Sequence, residues 1–296
     1  MDIFQAVRNN DLEKVKELLD LGIDVNTKNN FESTLLHIAC RDNFIEIVKL
    51  LLTNPDIDIN AKNKDDGTPL RQALSKNNIE IVKLLLTKPK LDPNIKNDTG
   101  WTPLYEAYRN NFIEIFELLL DHPKIDVNSK NGYAQDTALH TVCSDNEIEI
   151  VKLLLGHPNI DVNIKDRNEK TPLHDACYYN QIEIVKLLLE HPNIDVNIKN
   201  EDGYTPLHIT CRDNFIEVVK LLLAHPDIDV NNKDNYGRTP LFISCKDSKI
   251  EIVKLLLSHP KIKIDFKIFM LKPELINNYK IENKNSINKI LDTIDY

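Results

Sequence analysis

Two stretches decide how this sequence folds, IEIVKLLLGHPNIDVNIKD at residues 148–166 and IEIVKLLLEHPNIDVNIKN at residues 182–200, because they are nearly the same sequence. A short motif that begins with threonine recurs in register with them. Successive motif threonines are 34 residues apart, except for one step of 35 residues into Thr137. The motif threonines are Thr34, Thr68, Thr102, Thr137, Thr171, Thr205 and Thr239. A fixed period of about 20–50 residues indicates an array of structural repeats.

Each repeat is predicted to contain two helices. Thr is a favourable N-cap residue and Pro fits the first helical position, so Thr-Pro-Leu-His at residues 171–174 predicts the start of a first helix. The motif IEIVKLLL is apolar nearly all round, which predicts a second helix that is buried on two sides. Between the helices an Asn stands three residues before a Glu, as in Asn180 and Glu183. This spacing predicts a capping box, and Asn also tolerates the left-handed backbone of a tight turn.

The segment after the second helix is predicted to be a loop. A His-Pro pair ends the helix, because Pro cannot continue the ladder of backbone hydrogen bonds. Asp-Val-Asn, as at residues 195–197, then leads into a tract rich in Asp, Asn and Gly, which is typical of turns. We therefore expect a β-hairpin-like loop that projects from each repeat.

These motifs together resemble the ankyrin repeat, from residue 1 to about residue 262. The family usually has Gly between the two helices and at the end of the second, whereas this chain has Asn or Ser at the first place and Pro with one extra residue at the second. The resemblance implies an all-α fold, an ankyrin-repeat solenoid of stacked helix-turn-helix units with projecting hairpin-like loops.

The repeats also predict the domain organisation. We expect one ankyrin-repeat domain over residues 1–296, with an N-terminal capping repeat at residues 1–29 and seven internal repeats at residues 30–262. Residues 263–296 are interpreted as a degenerate C-terminal capping repeat, and the alternative for them is a frayed or linker-like tail.

Charge and hydropathy restrict the partners and the location. The net charge of −9 argues against nucleic acid or an anionic membrane as the main partner, because both favour a basic face. No apolar run approaches the ~20 residues that span a bilayer, and the first residues show no secretory signal. We expect a monomeric cytoplasmic protein without membrane insertion, and a nuclear location stays open.

Residues that could carry out chemistry recur once in each repeat, which argues against an enzyme. The five cysteines all stand six residues after a motif threonine and are expected to be reduced core residues. All nine histidines are repeat positions as well. A catalytic pair or a metal site needs several groups that converge on one point, and copies translated by a whole repeat do not converge. We therefore expect no catalysis, no metal and no cofactor.

Positions that differ between repeats are the candidates for partner binding. They lie just before each motif threonine, at the loop tip, and seven and eight residues after the threonine. Aromatic and arginine side chains, which dominate interface hot spots, are frequent there. The predicted partner-binding residues are Trp101, Tyr105, Arg109, Tyr133, Tyr178, Tyr179, Tyr204, Arg212, Tyr236 and Arg238. The alternative is that these side chains only pack against neighbouring repeats.

The resemblance implies a non-catalytic interaction scaffold that binds a protein or peptide on the concave face formed by first helices and hairpin loops. Two alternatives to a simple interaction scaffold stay open. The first is a regulatory inhibitor that masks an enzyme or a transcription factor. The second is an unrecognised enzyme, or a substrate of an asparaginyl hydroxylase, because the Asp-Val-Asn asparagines resemble sites that are hydroxylated in some ankyrin proteins.

Overall fold

A computed structural model of the chain describes residues 2–264. Within this range the chain forms sixteen helices, which follow one another as eight pairs. The only β-bridges recorded among the described residues are two isolated ones inside loops, Lys28 with Thr34 and Asn131 with Asp136. The all-α fold with hairpin-like loops is thereby confirmed. The C-terminal capping repeat predicted at residues 263–296 lies outside the described residues from residue 265 onward.

The first helix of each pair is short and the second is of similar length. The bounds are α1 Ile3–Arg8, α2 Leu12–Asp20, α3 Leu35–Arg41, α4 Ile45–Leu51, α5 Pro69–Ser75, α6 Ile79–Leu86, α7 Pro103–Arg109, α8 Ile113–Leu120, α9 Ala138–Asp145, α10 Ile148–Leu155, α11 Pro172–Tyr178, α12 Ile182–Leu189, α13 Pro206–Asp213, α14 Ile216–Ala224, α15 Pro240–Lys246 and α16 Ile250–Ser258. Odd-numbered helices are the predicted first helices, and even-numbered helices are the predicted second helices.

The chain divides into two compact units, unit 1 from Met1 to Ala138 and unit 2 from Leu139 onward. In unit 1 the first helices α1, α3, α5 and α7 each contact the next, and so do the second helices α2, α4, α6 and α8. In unit 2 the same holds for α11, α13 and α15, and for α10, α12, α14 and α16. The repeats therefore stack in chain order inside each unit. The prediction of a single domain stays a prediction.

The predicted starts of the first helices are confirmed. Thr34, Thr68, Thr102 and Thr239 have extended backbone, and their hydroxyl groups accept the N–H of the residue three positions on. In α3, α11 and α13 the histidine of the motif completes a capping box, because its ring accepts the N–H of the threonine. This box uses His where Glu or Gln is usual.

For the turn between the helices, the predicted left-handed backbone is confirmed and the predicted capping box is not found. The asparagines have left-handed backbone, with φ of 60° at Asn43 and 56° at Asn180. The capping box predicted from Asn180 and Glu183 is wrong. The N-cap of the second helix is the following residue, Gln181, which makes no side-chain cap bond. Asn180 does not cap the helix, because an N-cap residue typically has β-region backbone, whereas the backbone of Asn180 is left-handed. Glu183 stays in the first turn, where its charge favours the helix dipole.

The cysteines lie in the core, as predicted. Cys40, Cys143, Cys177, Cys211 and Cys245 are buried thiols. Burial raises the pKa of the Cys40, Cys143, Cys177 and Cys211 thiols, that of Cys211 to about 12. Nucleophilic thiol chemistry requires the thiolate, so these cysteines act as small apolar core residues.

The asparagine that ends the Asp-Val-Asn motif, or its variants Asp-Ile-Asn at residues 58–60 and Asp-Pro-Asn at residues 92–94, joins its repeat to the next inside each unit. The Asn197 side-chain amide donates to the Asp227 carbonyl at 2.7 Å, and its oxygen accepts the Asp229 N–H at 2.8 Å. Asp195 holds Asn197 in place by accepting its N–H at 2.9 Å. The same pair of inter-repeat bonds is made by Asn26, Asn60, Asn94, Asn163 and Asn231. The asparagines thus form a hydrogen-bonded ladder inside each unit, which we call the asparagine ladder.

The motif histidines form a second ladder, which we call the histidine ladder. His174 Nδ1 accepts the Thr171 N–H at 3.1 Å, and its Nε2 lies 3.0 Å from the Tyr204 carbonyl oxygen of the next repeat. Because Nδ1 is an acceptor, the neutral ring carries its hydrogen on Nε2 and donates it across the repeat boundary. His208 makes the same bonds to Thr205 and Arg238. Burial lowers the pKa of His174 and of His208 to about 4.

These histidines predict a loss of stability in mild acid. The folded state favours the neutral ring, whereas an unfolded histidine takes up a proton near pH 6.5. The stability contributed by the lowered pKa is therefore fully present above about pH 6.5 and is lost as the pH falls towards 4. His174→Gln removes this titration, so its free energy of unfolding should fall less between pH 7 and pH 4.5 than that of the wild type, by roughly 2 kcal/mol.

Urea denaturation of the full chain at the two pH values measures this difference. His191→Gln is the matched control, because His191 precedes a helix-ending proline in the same repeat and lies outside the ladder. Equal pH dependence in His174→Gln and in the wild type would contradict the prediction.

Candidate partner-binding surface

Four of the predicted partner-binding residues belong to unit 1. The half-buried Trp101 meets the ring of Tyr105 edge-on, with centroids 5.2 Å apart. Tyr105 itself is only 7% exposed, so it packs against Trp101 and offers a partner no surface. Its position explains this burial, because Tyr105 occupies the place that histidine holds in other repeats. We leave Tyr105 out of the candidate surface for that reason.

The other two residues of unit 1 are accessible. Tyr133 is 81% exposed in the loop after α8, and Arg109 is exposed at the end of α7. The loop reaches Trp101 through Gly132, whose N–H donates to the Gly100 carbonyl at 3.1 Å. A Cβ at Gly132 would lie 3.2 Å from the indole nitrogen, and its φ of 56° is left-handed, so glycine suits this contact.

In unit 2 the structure brings predicted residues together around one ring. We call Tyr204, Arg212, Tyr236 and Arg238 the Tyr–Arg cluster. The Tyr204 ring stacks on His208, with centroids 5.8 Å apart and an interplanar angle of 20°. The guanidinium of Arg212 lies 5.8 Å from the ring centroid, and that of Arg238 lies 5.9 Å from it. Arg238 also donates to the Tyr204 hydroxyl at 2.7 Å, across the repeat boundary.

A buried carboxylate fixes the orientation of Arg238. Asp234 accepts a hydrogen bond of 2.7 Å from the Arg238 side chain, and its other oxygen accepts the backbone N–H groups of Tyr236 and Arg238. Burial alone would raise the pKa of Asp234, but these hydrogen bonds outweigh it and lower the pKa. Asp234 stays ionised and holds the guanidinium 4.7 Å from the ring of Tyr236, which is 76% exposed.

Tyr178 and Tyr179 extend the aromatic surface from the end of α11. Their rings meet edge-on at 5.0 Å, and they are 46% and 53% exposed. Tyr178 lies near Arg212 of the cluster. Lys170 lies 5.5 Å above the Tyr178 ring. Lys170 is a residue of this surface that was not predicted, although it stands in the same variable column as Tyr204, just before a motif threonine.

Both arginines of the Tyr–Arg cluster have carboxylate partners. Arg212 makes two bonds of 2.8 Å to Asp213, and Arg238 is paired with Asp234. A partner would therefore meet aromatic faces and guanidinium edges whose positive charge is nearly balanced by the neighbouring carboxylates. Such a surface has the composition of a protein-interface hot spot, in which Tyr and Arg are enriched.

In residues 2–264 no three His, Cys, Asp or Glu side chains are grouped closely enough to hold a metal ion. No helix in the same range is long and apolar enough to cross a membrane. The histidines before the helix-ending prolines remain spaced by whole repeats.

Comparison with known proteins agrees with this architecture. The family model described as ankyrin repeats in three copies matches residues 3–97, 58–131, 127–200 and 192–268. The chain belongs to the ankyrin repeat family. Ankyrin repeats generally mediate protein–protein interaction, and proteins of this family are typically non-catalytic.

A solved structure titled as the crystal structure of EF0377, an ankyrin repeat protein, is similar to this chain. The two are 30% identical, with a TM-score of 0.57, and the match covers 64% of this chain and 96% of the other. Among curated proteins the comparison finds no match.

Two substitutions at Asp234 separate its two roles. Asp234→Ala removes the acceptor of two backbone N–H groups and of Arg238, and should lower the free energy of unfolding by roughly 2–3 kcal/mol. Asp234→Asn keeps the backbone acceptor, as Asn200 does at the equivalent position of the preceding repeat, and should cost about 1 kcal/mol or less. Denaturant unfolding of both variants measures the difference. Equal losses would show that the loop does not depend on the backbone acceptor.

Proposed function

We propose that this ankyrin repeat protein is a non-catalytic interaction scaffold that binds a protein or peptide through the Tyr–Arg cluster and the adjoining Tyr178 and Tyr179. One observation carries the proposal. Tyrosine and arginine side chains from three consecutive repeats of unit 2 are gathered on one accessible surface, while the carboxylates and backbone around them hold them in place.

The fixed geometry of the side chains supports binding. Arg238 is held by Asp234 and by the Tyr204 hydroxyl, so it loses little conformational entropy when a partner covers it. The tyrosines combine large contact area with few rotatable bonds. Because the guanidinium groups are already paired, affinity should come from stacking and desolvated hydrogen bonds more than from net charge.

The surface lies at the ends of first helices and in the loops that precede them, which is the face that we expect to be concave. Trp101, Arg109 and Tyr133 occupy corresponding places in unit 1. We propose that they form a separate patch for the same kind of partner, and they are tested separately.

Affinity purification from the source cells with the full chain as bait tests the proposal. Alanine at Tyr204, or at Tyr178, should weaken retention of a captured partner at least about tenfold, because hot-spot residues contribute on the order of 2 kcal/mol. Lys186→Ala is the matched control, because Lys186 is exposed on the second helix α12, where it pairs with Glu183. Trp101→Ala reports on the patch of unit 1.

The result that would contradict this site is a partner retained by the Tyr178 and Tyr204 variants as well as by the wild type. Retention by Trp101→Ala equal to that of the wild type would contradict the patch of unit 1. Assaying the captured partner with and without the scaffold then distinguishes simple docking from an inhibitor that masks its activity.

A further inference from the structure

The Tyr–Arg cluster and the two tyrosines at the end of α11 form one continuous row of rings and guanidinium groups in unit 2. We call it the aromatic row. Its members, in order, are Tyr179, Tyr178, Arg212, Tyr204, Arg238 and Tyr236. The chemistry and the spacing of this row indicate which kind of segment a partner would place on it.

The exposed rings stand at the two ends of the aromatic row. Tyr178 and Tyr179 are about half exposed at one end, and Tyr236 is largely exposed at the other. Tyr204 in the middle is half-buried, because its ring stacks on His208. A partner therefore finds accessible aromatic surface at both ends of the row.

Between these ends the row offers hydrogen-bond donors. Arg212 donates to Asp213 from Nε and Nη2, whereas Arg238 donates from Nε to Asp234 and from Nη2 to the Tyr204 hydroxyl. A guanidinium carries five N–H groups, two of them on Nη1. No residue that the structure describes accepts a hydrogen bond from Nη1 of either arginine. Both guanidinium groups can therefore bind acceptors of a partner.

The charge balance indicates neutral acceptors. Asp213 and Asp234 already neutralise the two guanidinium groups of the row. An additional carboxylate would gain little attraction here and would lie close to a like charge. Backbone carbonyl oxygens accept hydrogen bonds without adding a charge, so a segment with free carbonyl groups suits the row better than an acidic one.

The repeat spacing indicates the conformation of that segment. The first helices α11, α13 and α15 pack in succession, and packed helices lie about 8–10 Å apart. A polyproline II helix advances about 9 Å per turn of three residues and makes no internal hydrogen bonds, so its carbonyl groups are free. An α-helix uses its carbonyl groups internally. In a β-strand, residues on one face recur every ~7 Å, which is shorter than one repeat.

We propose that the aromatic row binds a proline-rich segment of the partner in the polyproline II conformation. Tyr178 and Tyr236 belong to levels of the stack two repeats apart, so they contact prolines about six residues apart. Carbonyl oxygens between these prolines accept hydrogen bonds from Arg212 and Arg238. Aromatic-lined grooves recognise proline-rich segments in this way, and the preformed conformation lowers the entropic cost of binding. The inference rests on the function proposed above and names the chemistry of its partner.

Titration of the full-length protein with nonaproline, blocked at both ends, tests the inference by calorimetry. We expect saturable binding of one equivalent. Triproline forms a single turn and reaches one end of the row only, so it should bind at least about tenfold more weakly. A Gly-Ser nonapeptide has the carbonyl groups without the rings and should not bind measurably. Nonaglutamate should bind more weakly than nonaproline, because the charge of the row is balanced.

Substitutions at the exposed end of the row locate the binding. Tyr236→Ala should weaken the binding of nonaproline at least about tenfold, because it removes an aromatic contact. Tyr236→Phe keeps the ring and removes the hydroxyl donor, so the loss should be about threefold. Tyr178→Ala tests the other end with the same expected loss as Tyr236→Ala. Lys186→Ala again serves as the control and should leave the affinity unchanged.

Three results would overturn the inference. These are absence of saturable nonaproline binding, an affinity for nonaglutamate equal to or higher than that for nonaproline, and unchanged affinity in both Tyr178→Ala and Tyr236→Ala. Circular dichroism establishes that each variant is folded. If Tyr178→Ala is not folded, the largely exposed Tyr236 decides.

The affinity purification separates this inference from the proposed function. If Tyr178→Ala and Tyr204→Ala release a captured partner while nonaproline does not bind, the inference is wrong and the proposed function stands. If both variants retain the captured partner, the proposed function is wrong and the inference falls with it.

Discussion

Hydrogen bonds that run from side chains of one repeat to the backbone of the next are the constraint on which the stack depends. In the asparagine ladder, both polar atoms of one amide bind two backbone groups about one repeat further along the chain, as Asn197 does at Asp227 and Asp229. In the histidine ladder, one ring joins its own threonine to the next loop. Both sets of bonds require a nearly constant displacement between repeats. Such a requirement explains why the period of 34 residues is kept so closely, and why the single extra residue falls in a loop.

The same displacement restricts the chemistry that the chain can arrange. Equivalent side chains are separated by a whole repeat, so only long side chains reach from one repeat to the next. Arg238 meets Tyr204 in this way, although both stand just before a motif threonine. Arg71 and Glu106 do likewise in unit 1, where their half-buried pair at 2.8 Å appears in a repeat without the motif histidine. Paired side chains of this kind suit recognition, since they shape a surface without converging on a reacting atom.

Much of the fold could be predicted from the sequence, because each helix depends on local residues. Threonine caps, first-position prolines and left-handed asparagines all act within a few residues of their own position. The second-helix cap was predicted wrongly because Asn180 can serve a turn or a cap, and the sequence does not tell which is used. The burial of Tyr105 was missed for a different reason. Its accessibility depends on Trp101 and on the loop that covers both, and the sequence alone does not give that packing.

The contacts of the residues just before the motif threonines could not be predicted, because they depend on the neighbouring repeat. This column contains Ser33 and Gly67 in the first repeats, and Trp101, Lys170, Tyr204 and Arg238 further on. A large residue here packs onto its own repeat, as Tyr204 does on His208, and it also meets the residue that the next repeat places in the same column, as Tyr204 meets Arg238. The surface that each large side chain offers to a partner therefore depends on the residue one repeat further on. The sequence shows both residues, but only the stacking of the repeats brings them into contact.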